Sequence, residues 1–500
     1  MTRSITRVFF AATAGIVAGV ALVTAAVGCG APLALAVGIA LLGASGGGWL
    51  AARSKTVGDV AALPPPVLGL GAVGMTVALV ELVRLAVFMI DPAQVAWSVQ
   101  PGNTWRVRHS CVSAYWVACQ EVDDVPDVYR LQRYEPPRDA AGRRQRIVME
   151  GFVLDAYEYP PPFLVLPRLL AHGAPTFLRF RTLWFAVQLI VVAAGLVVVA
   201  SHIGGVTGAY VVALSGFVLA PYGIVTTLQI GNAQLAFVTL PMVAMVLFDR
   251  RRPVAGGALL AYATVSKLYP ALLVLYLLLR RDWRGAAWTV GLGALIVALS
   301  LADIGWTPYL AFIDHLPRLL SGEAFPAMAL PEGMALNQSI PGLPLKLALF
   351  GLAPATLAWA RVAGWLYTPL LLWATVRLAR GRFDREDEPL AWLTVVLLAT
   401  YRSTFLPQYG VFPGLWLVVL LAARFRDRPV ALAALAGAWG VLTLNFAGWP
   451  GLAMLNGIVT TAQTLTGLAL AFVVLQMPAV ERRAVGAVEA SAPASSPAPA

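Results

Sequence analysis

Apolar runs of about twenty residues recur along the whole chain, and each is long enough to cross a hydrocarbon core of about 30 Å as a helix. The pattern predicts spans at about 8–28, 32–51, 66–90, 180–201, 205–221, 233–249, 286–303, 355–378, 389–403, 410–424, 429–447 and 455–476. Short polar or basic breaks separate them. The expected fold class is all-α: a polytopic helical membrane protein with about 12–14 membrane segments.

Residues 254–279 depart from the pattern. Arg252 precedes this stretch and Arg280 follows it, so both ends belong on one side. A single helix crossing once would violate that. Two half-helices of about 13 residues each, breaking at Ser266-Lys267-Leu268-Tyr269-Pro270, satisfy it. Pro270 removes a backbone donor and disfavours helix at the residue before it. Broken helices at membrane depth are tolerated where they line a polar cavity, so this re-entrant hairpin points at a site.

Composition agrees. Of 500 residues, 59% are hydrophobic and 12% charged, against about 25% charged in a soluble domain. The net charge of +11 is carried almost wholly by Arg, in clusters where apolar runs end: Arg53/Lys55, Asp249 to Arg252, Arg280 to Arg284, Arg377 to Arg385, Arg424 to Arg428 and Arg482-Arg483. With a cytoplasmic amino end, alternation of the spans puts every cluster on the cytoplasmic side. The charge therefore reads as topology, and no nucleic-acid partner is expected. The first apolar stretch is signal-peptide-like, but its length and the second run after it read as a retained anchor helix. The expected organisation is an amino-terminal helix pair (1–65), a main membrane domain (66–477) with outer loops at 91–179 and 304–354, and a disordered cytoplasmic tail (478–500).

Candidate chemistry sits where polar residues are costly. A charge deep in a membrane segment costs on the order of 3 kcal/mol, and Lys267 is such a charge, suited to a phosphate near the outer leaflet. Gln229, Asn232 and Gln234 flank Gly231 where one span ends outside and the next begins, and their amides suit sugar hydroxyls or phosphate oxygens as well as helix caps. The first outer loop carries His109, Tyr115, Asp123, Asp124, Asp127 and Tyr157-Glu-Tyr159-Pro-Pro-Pro-Phe163, with Asp91 at the membrane face. The second carries Asp314-His315 and Leu336-Asn-Gln-Ser-Ile340. Arg402 is a further outer charge whose planar fork suits a phosphate. Cys111 and Cys119 are eight residues apart, about 12 Å on a continuous helix, so a bridge between them needs a non-helical loop. No metal-ligand spacing is visible, and no metal or other cofactor is expected.

Four of these segments together resemble a known family. The motifs QIGNAQ before a span, SKLYPALLVLYLLLRRDWR as the broken hairpin, ALNQSI in an outer loop and YEYPPPFLVLP closing the first loop resemble the polyprenyl-phosphate-mannose-dependent mannosyltransferases of glycosyltransferase family 87, within the GT-C superfamily. The likeness covers roughly residues 66–425. It implies a multi-pass enzyme of the bacterial plasma membrane with its active site outside the cytoplasm. Such an enzyme inverts a sugar, with mannose the default, from a polyprenyl-phosphate donor to a glycolipid or glycan acceptor. An acid in the first outer loop would act as base, Lys267 and Arg402 would hold the leaving phosphate, and Asn232, Gln234, Asn337, Gln338 and Tyr159 would bind sugar or phosphate. The family's Asp-Leu-x-x-Tyr-like motif is not matched: upstream of Tyr115 the chain reads Arg-His-Ser-Cys-Val-Ser-Ala without an acid. His109 and Asp91 are the two candidates for the base. Gln408 stands near a position where a histidine is expected.

Two other functions fit parts of the pattern. A transporter or flippase of lipid-linked intermediates would use similar polar groups, but calls for related halves with paired broken helices, and one broken hairpin is visible. A structural envelope subunit accounts for the hydrophobicity but not for Lys267. A different prenyl-linked sugar, such as arabinofuranose, stays open.

Overall fold

A computed structural model of the chain describes residues 3–125, 127–134, 146–352, 354, 356–449 and 451–491, with side chains as far as Met477. Seven helices among the described residues are long and apolar enough to cross a membrane: Arg3–Gly28, Leu33–Arg53, Pro65–Ile90, Phe177–Ile203, Trp283–Ile304, Leu357–Arg380 and Ala453–Met477. The last continues as helix to Ser491, and residues 492–500 of the expected disordered tail lie outside the described residues. Shorter apolar helices complete the bundle, among them Gly205–Leu214, Glu388–Tyr401 and Pro429–Thr443. The chain is an all-α, multi-pass membrane protein.

The first two helices pack closely because glycines line their contact: a methyl at Gly15 would meet the Ala44 carbonyl oxygen at 2.5 Å. Gly28 in turn lies against Leu183 of Phe177–Ile203, so the amino-terminal pair is docked on the main bundle.

One predicted span differs in form. The stretch 205–221 is broken into Gly205–Leu214 and Gly216–Leu219, and a further helix, Tyr222–Ile230, follows Pro221. That helix meets Gln234–Asp249 at 104°. The corner is built by Gly231 at φ +73° and by Asn232, whose Oδ1 accepts the Gln234 amide at 3.0 Å. Both are devices that end one helix and start another.

The charged clusters meet at one end of the bundle. His202 lies 3.8 Å from Asp249, Arg280 reaches Glu388 at 3.4 Å, and Arg424 bonds Asp387 at 2.7 Å. Arg426 donates to Thr207, whose hydroxyl donates to Glu386.

The break predicted in 254–279 is present, between helices Pro253–Ser266 and Ala271–Leu279. Its two arms start and finish at that same charged end. Gly256, early in the first arm, packs on the Phe248 ring, and Phe248 and Tyr276 of the second arm both pack on Trp392, at 6.2 and 5.6 Å. Fourteen helical residues carry the first arm roughly 21 Å from that end. The tip meets the loops at the other end of the bundle, through Tyr159.

Those loops form a cap. Helices Thr104–Arg108, Val112–Glu121 and Val165–Gly173 and the short antiparallel pair Val148–Met149 and Phe152–Val153 enclose an aromatic core of Tyr115, Tyr157, Phe163, Phe177 and Trp184. Cys111 caps Val112–Glu121 and Cys119 lies within it, so the continuous helix keeps the two thiols apart and both are free.

Candidate active site

Three stretches of chain converge at the hairpin tip. Asn103 starts the helix Thr104–Arg108 by accepting the Arg106 amide at 3.0 Å, and the chain leaves it in extended form at His109. His109 pairs in parallel with Val153, so residues 109–113 run beside 153–155. Ser113 ties them together: its hydroxyl donates to Val153 O at 3.3 Å and accepts the Asp155 amide at 2.9 Å. The corner of residues 230–234 is the third strand of the knot, since the Cys111 amide donates to Ile230 O at 2.8 Å and Trp184 Nε1 donates to Gly231 O at 2.8 Å. A methyl at Gly231 would overlap Val112 Cγ2, so glycine is required there both by φ and by space.

The polar groups this knot presents are Asn232, Cys111, His109, Asp155, Tyr115 and Tyr159. Asn232 Nδ2 lies 3.6 Å from Cys111 Sγ. Tyr115 donates to the Tyr159 hydroxyl at 3.0 Å and accepts the Ala233 amide at 3.4 Å. Lys267 completes the group from the hairpin tip. Its ammonium lies 5.0 Å from the Tyr159 ring centre and 5.6 Å from that of Tyr409, within electrostatic reach of Cys111. No carboxylate among the described residues pairs with it. With aromatic faces as its nearest partners, this group is open to an incoming anion.

His109 stacks on Trp105 at 4.7 Å, and its Nε2 is 3.9 Å from Asp155 Oδ2. Burial pulls the imidazole below its ordinary value; Asp155 opposes this, and Arg106 and Arg146 add to it. Asp155 was not among the sequence candidates; Glu158 stood there only within the Tyr157-to-Phe163 motif, with no role of its own, and its Oε2 lies 2.5 Å from His315 Nε2. The one signal for Asp155 was its place two residues before the Tyr157-to-Phe163 motif.

The remaining sequence candidates are placed as follows. Asp91 is exposed and its carboxylate accepts from Ala93 N and Gln94 Nε2 on its own turn. Arg402 donates to Thr368 at 2.8 Å and lies over Trp365, contacts with a different set of elements from those around Lys267. It lines a crevice of about 170 Å³ with Arg361 and Thr404. A larger crevice, about 270 Å³, lies between Cys119, Asp123, Arg168 and His172, away from the hairpin tip's own contacts. Asn337 is fully engaged within the protein: Nδ2 donates to Thr404 O, and Oδ1 accepts from Ser339 N and Leu406 N. Gln338 donates to Gln463 at 2.6 Å. Gln229 bonds Val99 N and Arg106 O, pinning the first outer loop, while Gln234 is buried beside the Tyr269 hydroxyl.

The fold and this group define a class: a multi-pass helical membrane protein whose hairpin tip brings an amine to a cluster of polar and aromatic side chains beneath a cap of loops. The model of Glycosyltransferase family 87 matches residues 157–407, half of the chain, and the chain belongs to that family. The match begins at Tyr157, so His109, Cys111 and Asp155 lie before it. Two curated relatives are both named polyprenol-phosphate-mannose-dependent alpha-(1-2)-phosphatidylinositol mannoside mannosyltransferase. That of Mycolicibacterium smegmatis is 27% identical over 222 residues, 43% of this chain and 48% of the relative. That of Mycobacterium tuberculosis is 28% identical over 215 residues, 41% of this chain and 45% of the relative. The chain thus spans about half the length of the curated relatives it matches. No solved structure matches it.

Proposed function

We propose that the protein is a membrane mannosyltransferase that takes mannose from a polyprenyl-phosphate donor and passes it, with inversion, to a glycolipid or glycan hydroxyl. The reaction would take place on the outer face of a bacterial plasma membrane. The single observation that carries this reading is Lys267: an amine at the tip of a re-entrant hairpin, seated between two aromatic rings and without a carboxylate partner among the described residues. The family and the relatives' names supply the donor class.

The chemistry follows from the groups present. The sugar's anomeric carbon is attacked by an acceptor hydroxyl, the bond to the phosphate oxygen breaks, and the departing phosphate gains charge. Lys267 stabilises that charge, the more strongly the less water reaches it. The hydroxyl's proton goes to the His109–Asp155 pair, the base candidate whose atoms face the same pocket, whereas Asp91 is engaged on its own turn. Asn232 and Tyr159 line the space between base and cation. Asn337 and Gln338, bonded to Thr404, Leu406 and Gln463, act on this reading as supports of the fold and not as sugar contacts.

The test is transfer itself. Purified protein is incubated with radiolabelled polyprenyl-phosphate sugars and a membrane lipid extract. The reading expects labelled lipid product from the mannose donor, lost in Lys267→Ala and His109→Ala and retained in Asp91→Asn. Absence of transfer from any donor, with movement of lipid between leaflets instead, would favour a flippase.

A further inference from the structure

His109, Cys111 and Asp155 each turn one metal-ligating atom toward a common point: the three atoms all lie within 4.8 Å of one another. His109 Nε2 is 3.8 Å from Cys111 Sγ and 3.9 Å from Asp155 Oδ2. The second distance is too long for an N–H···O bond. In a tetrahedral zinc site the bond lengths of about 2.0–2.3 Å place neighbouring donor atoms roughly 3.3–3.6 Å apart. Side-chain rotations that move each atom by less than about an ångström would close the group to that spacing.

The backbone explains why three residues from two segments meet. His109 and Cys111 are two apart across the turn from extended chain into helix, and the pairing of His109 with Val153 sets Asp155 opposite Cys111. Ser113 and the Cys111 amide lock this register. The arrangement is therefore held by main-chain bonds and does not depend on the three side chains bonding one another. Their chemistry also fits. Thiolate and carboxylate balance a divalent charge, and the imidazole–thiolate–carboxylate mix suits a borderline-soft ion rather than magnesium or calcium.

We propose that His109 Nε2, Cys111 Sγ and an Asp155 oxygen form a three-ligand site for a zinc-type divalent ion, with the fourth position left to water or a substrate oxygen. On binding, the Cys111 thiol loses its proton to solvent and the sulfur–metal bond forms. The ion occupies the pair assigned above to take up the acceptor's proton, so occupancy blocks sugar transfer; this consequence rests on the function proposed above, whereas binding itself does not.

The experiment titrates cobalt(II) into the full-length, metal-stripped protein in detergent, in the absence of any substrate. The expected result is one equivalent bound, with tetrahedral visible bands and a thiolate-to-cobalt charge-transfer band, both displaced by zinc. Cys111→Ser abolishes the charge-transfer band, and His109→Ala and Asp155→Asn each weaken zinc binding at least tenfold, with elution volume and melting profile showing that the variants fold. Cobalt that stays in its octahedral aqua form overturns the proposal. So does a charge-transfer band that survives in Cys111→Ser, since Cys29 or Cys119 would then be the ligand. A site that binds zinc without slowing transfer removes the blocking consequence and leaves the metal site standing.

Discussion

The Lys267 ammonium faces the Tyr159 ring at 5.0 Å, and Tyr159 is itself stacked on Phe163 at 4.4 Å. The ring thus reaches the hairpin tip from a rigid aromatic core rather than from a mobile loop. An ammonium over an aromatic face gains about 0.5–2 kcal/mol. Tyr159→Leu is expected to weaken polyprenyl-phosphate binding by roughly 2- to 30-fold, whereas Tyr159→Phe, which keeps the ring, stays within about threefold. Equal losses in the two variants would assign the effect to the Tyr115–Tyr159 hydroxyl bond instead.

Gly231 gives a prediction about stability. The positive φ and the overlap of any Cβ with Val112 act together, so Gly231→Ala is expected to cost about 1–3 kcal/mol, read as a lower melting temperature in detergent. Adding Val112→Ala relieves the overlap but not the φ strain and restores part of the loss. A Gly231→Ala protein that melts like the parent would show that the corner is looser than described.

Asn337 separates a structural from a substrate role. Removing its amide leaves Leu406 N and Ser339 N without their partner, while Thr404 O keeps the Ser339 hydroxyl. Each buried group left unpaired costs about 1–3 kcal/mol. Asn337→Ala is expected to lower the melting temperature strongly while the folded fraction keeps its donor KM. A stable variant with a raised KM would return Asn337 to the list of sugar contacts.

Much of the fold was legible before any coordinates. Span positions followed from apolar run length, and the re-entrant hairpin followed from Arg252 and Arg280 together with the Ser266-to-Pro270 break, because charge sidedness and proline chemistry are local rules. The site was legible only in part. Lys267 stood out because a charge in an apolar run is costly. Asp155 and Glu158 did not, because a carboxylate in a polar loop looks the same whether it faces solvent or a pocket; only the pairing of His109 with Val153 brings Asp155 inward. Asn337 and Gln338 were expected to bind sugar, but an amide's sequence context does not reveal whether its bonds are already taken. The 104° corner was missed for a related reason, since one αL glycine decides it.

Glu158 gives a pH dependence. Burial holds its carboxyl above the ordinary value of 4.5; His315 draws it back down, Asp155 adds to the rise and Arg318 opposes it. The folded state therefore keeps this proton to higher pH than the unfolded chain. Its contribution to stability is complete below pH 4.5 and is lost as pH rises through the folded value. Glu158→Gln removes the titration, so the variant's melting temperature relative to the parent is expected to climb between about pH 4 and about pH 7. A constant difference across that range would mean that Glu158 titrates alike in both states.

The central claim is that Lys267, at the tip of the hairpin, holds the donor's phosphate. Its most direct test is equilibrium binding of polyprenyl monophosphate to the purified parent protein and to Lys267→Ala. A charge-assisted contact contributes about 1.5–3 kcal/mol, so the variant is expected to bind roughly 10- to 100-fold more weakly with an unchanged melting profile. Equal affinity in the two proteins would contradict the account.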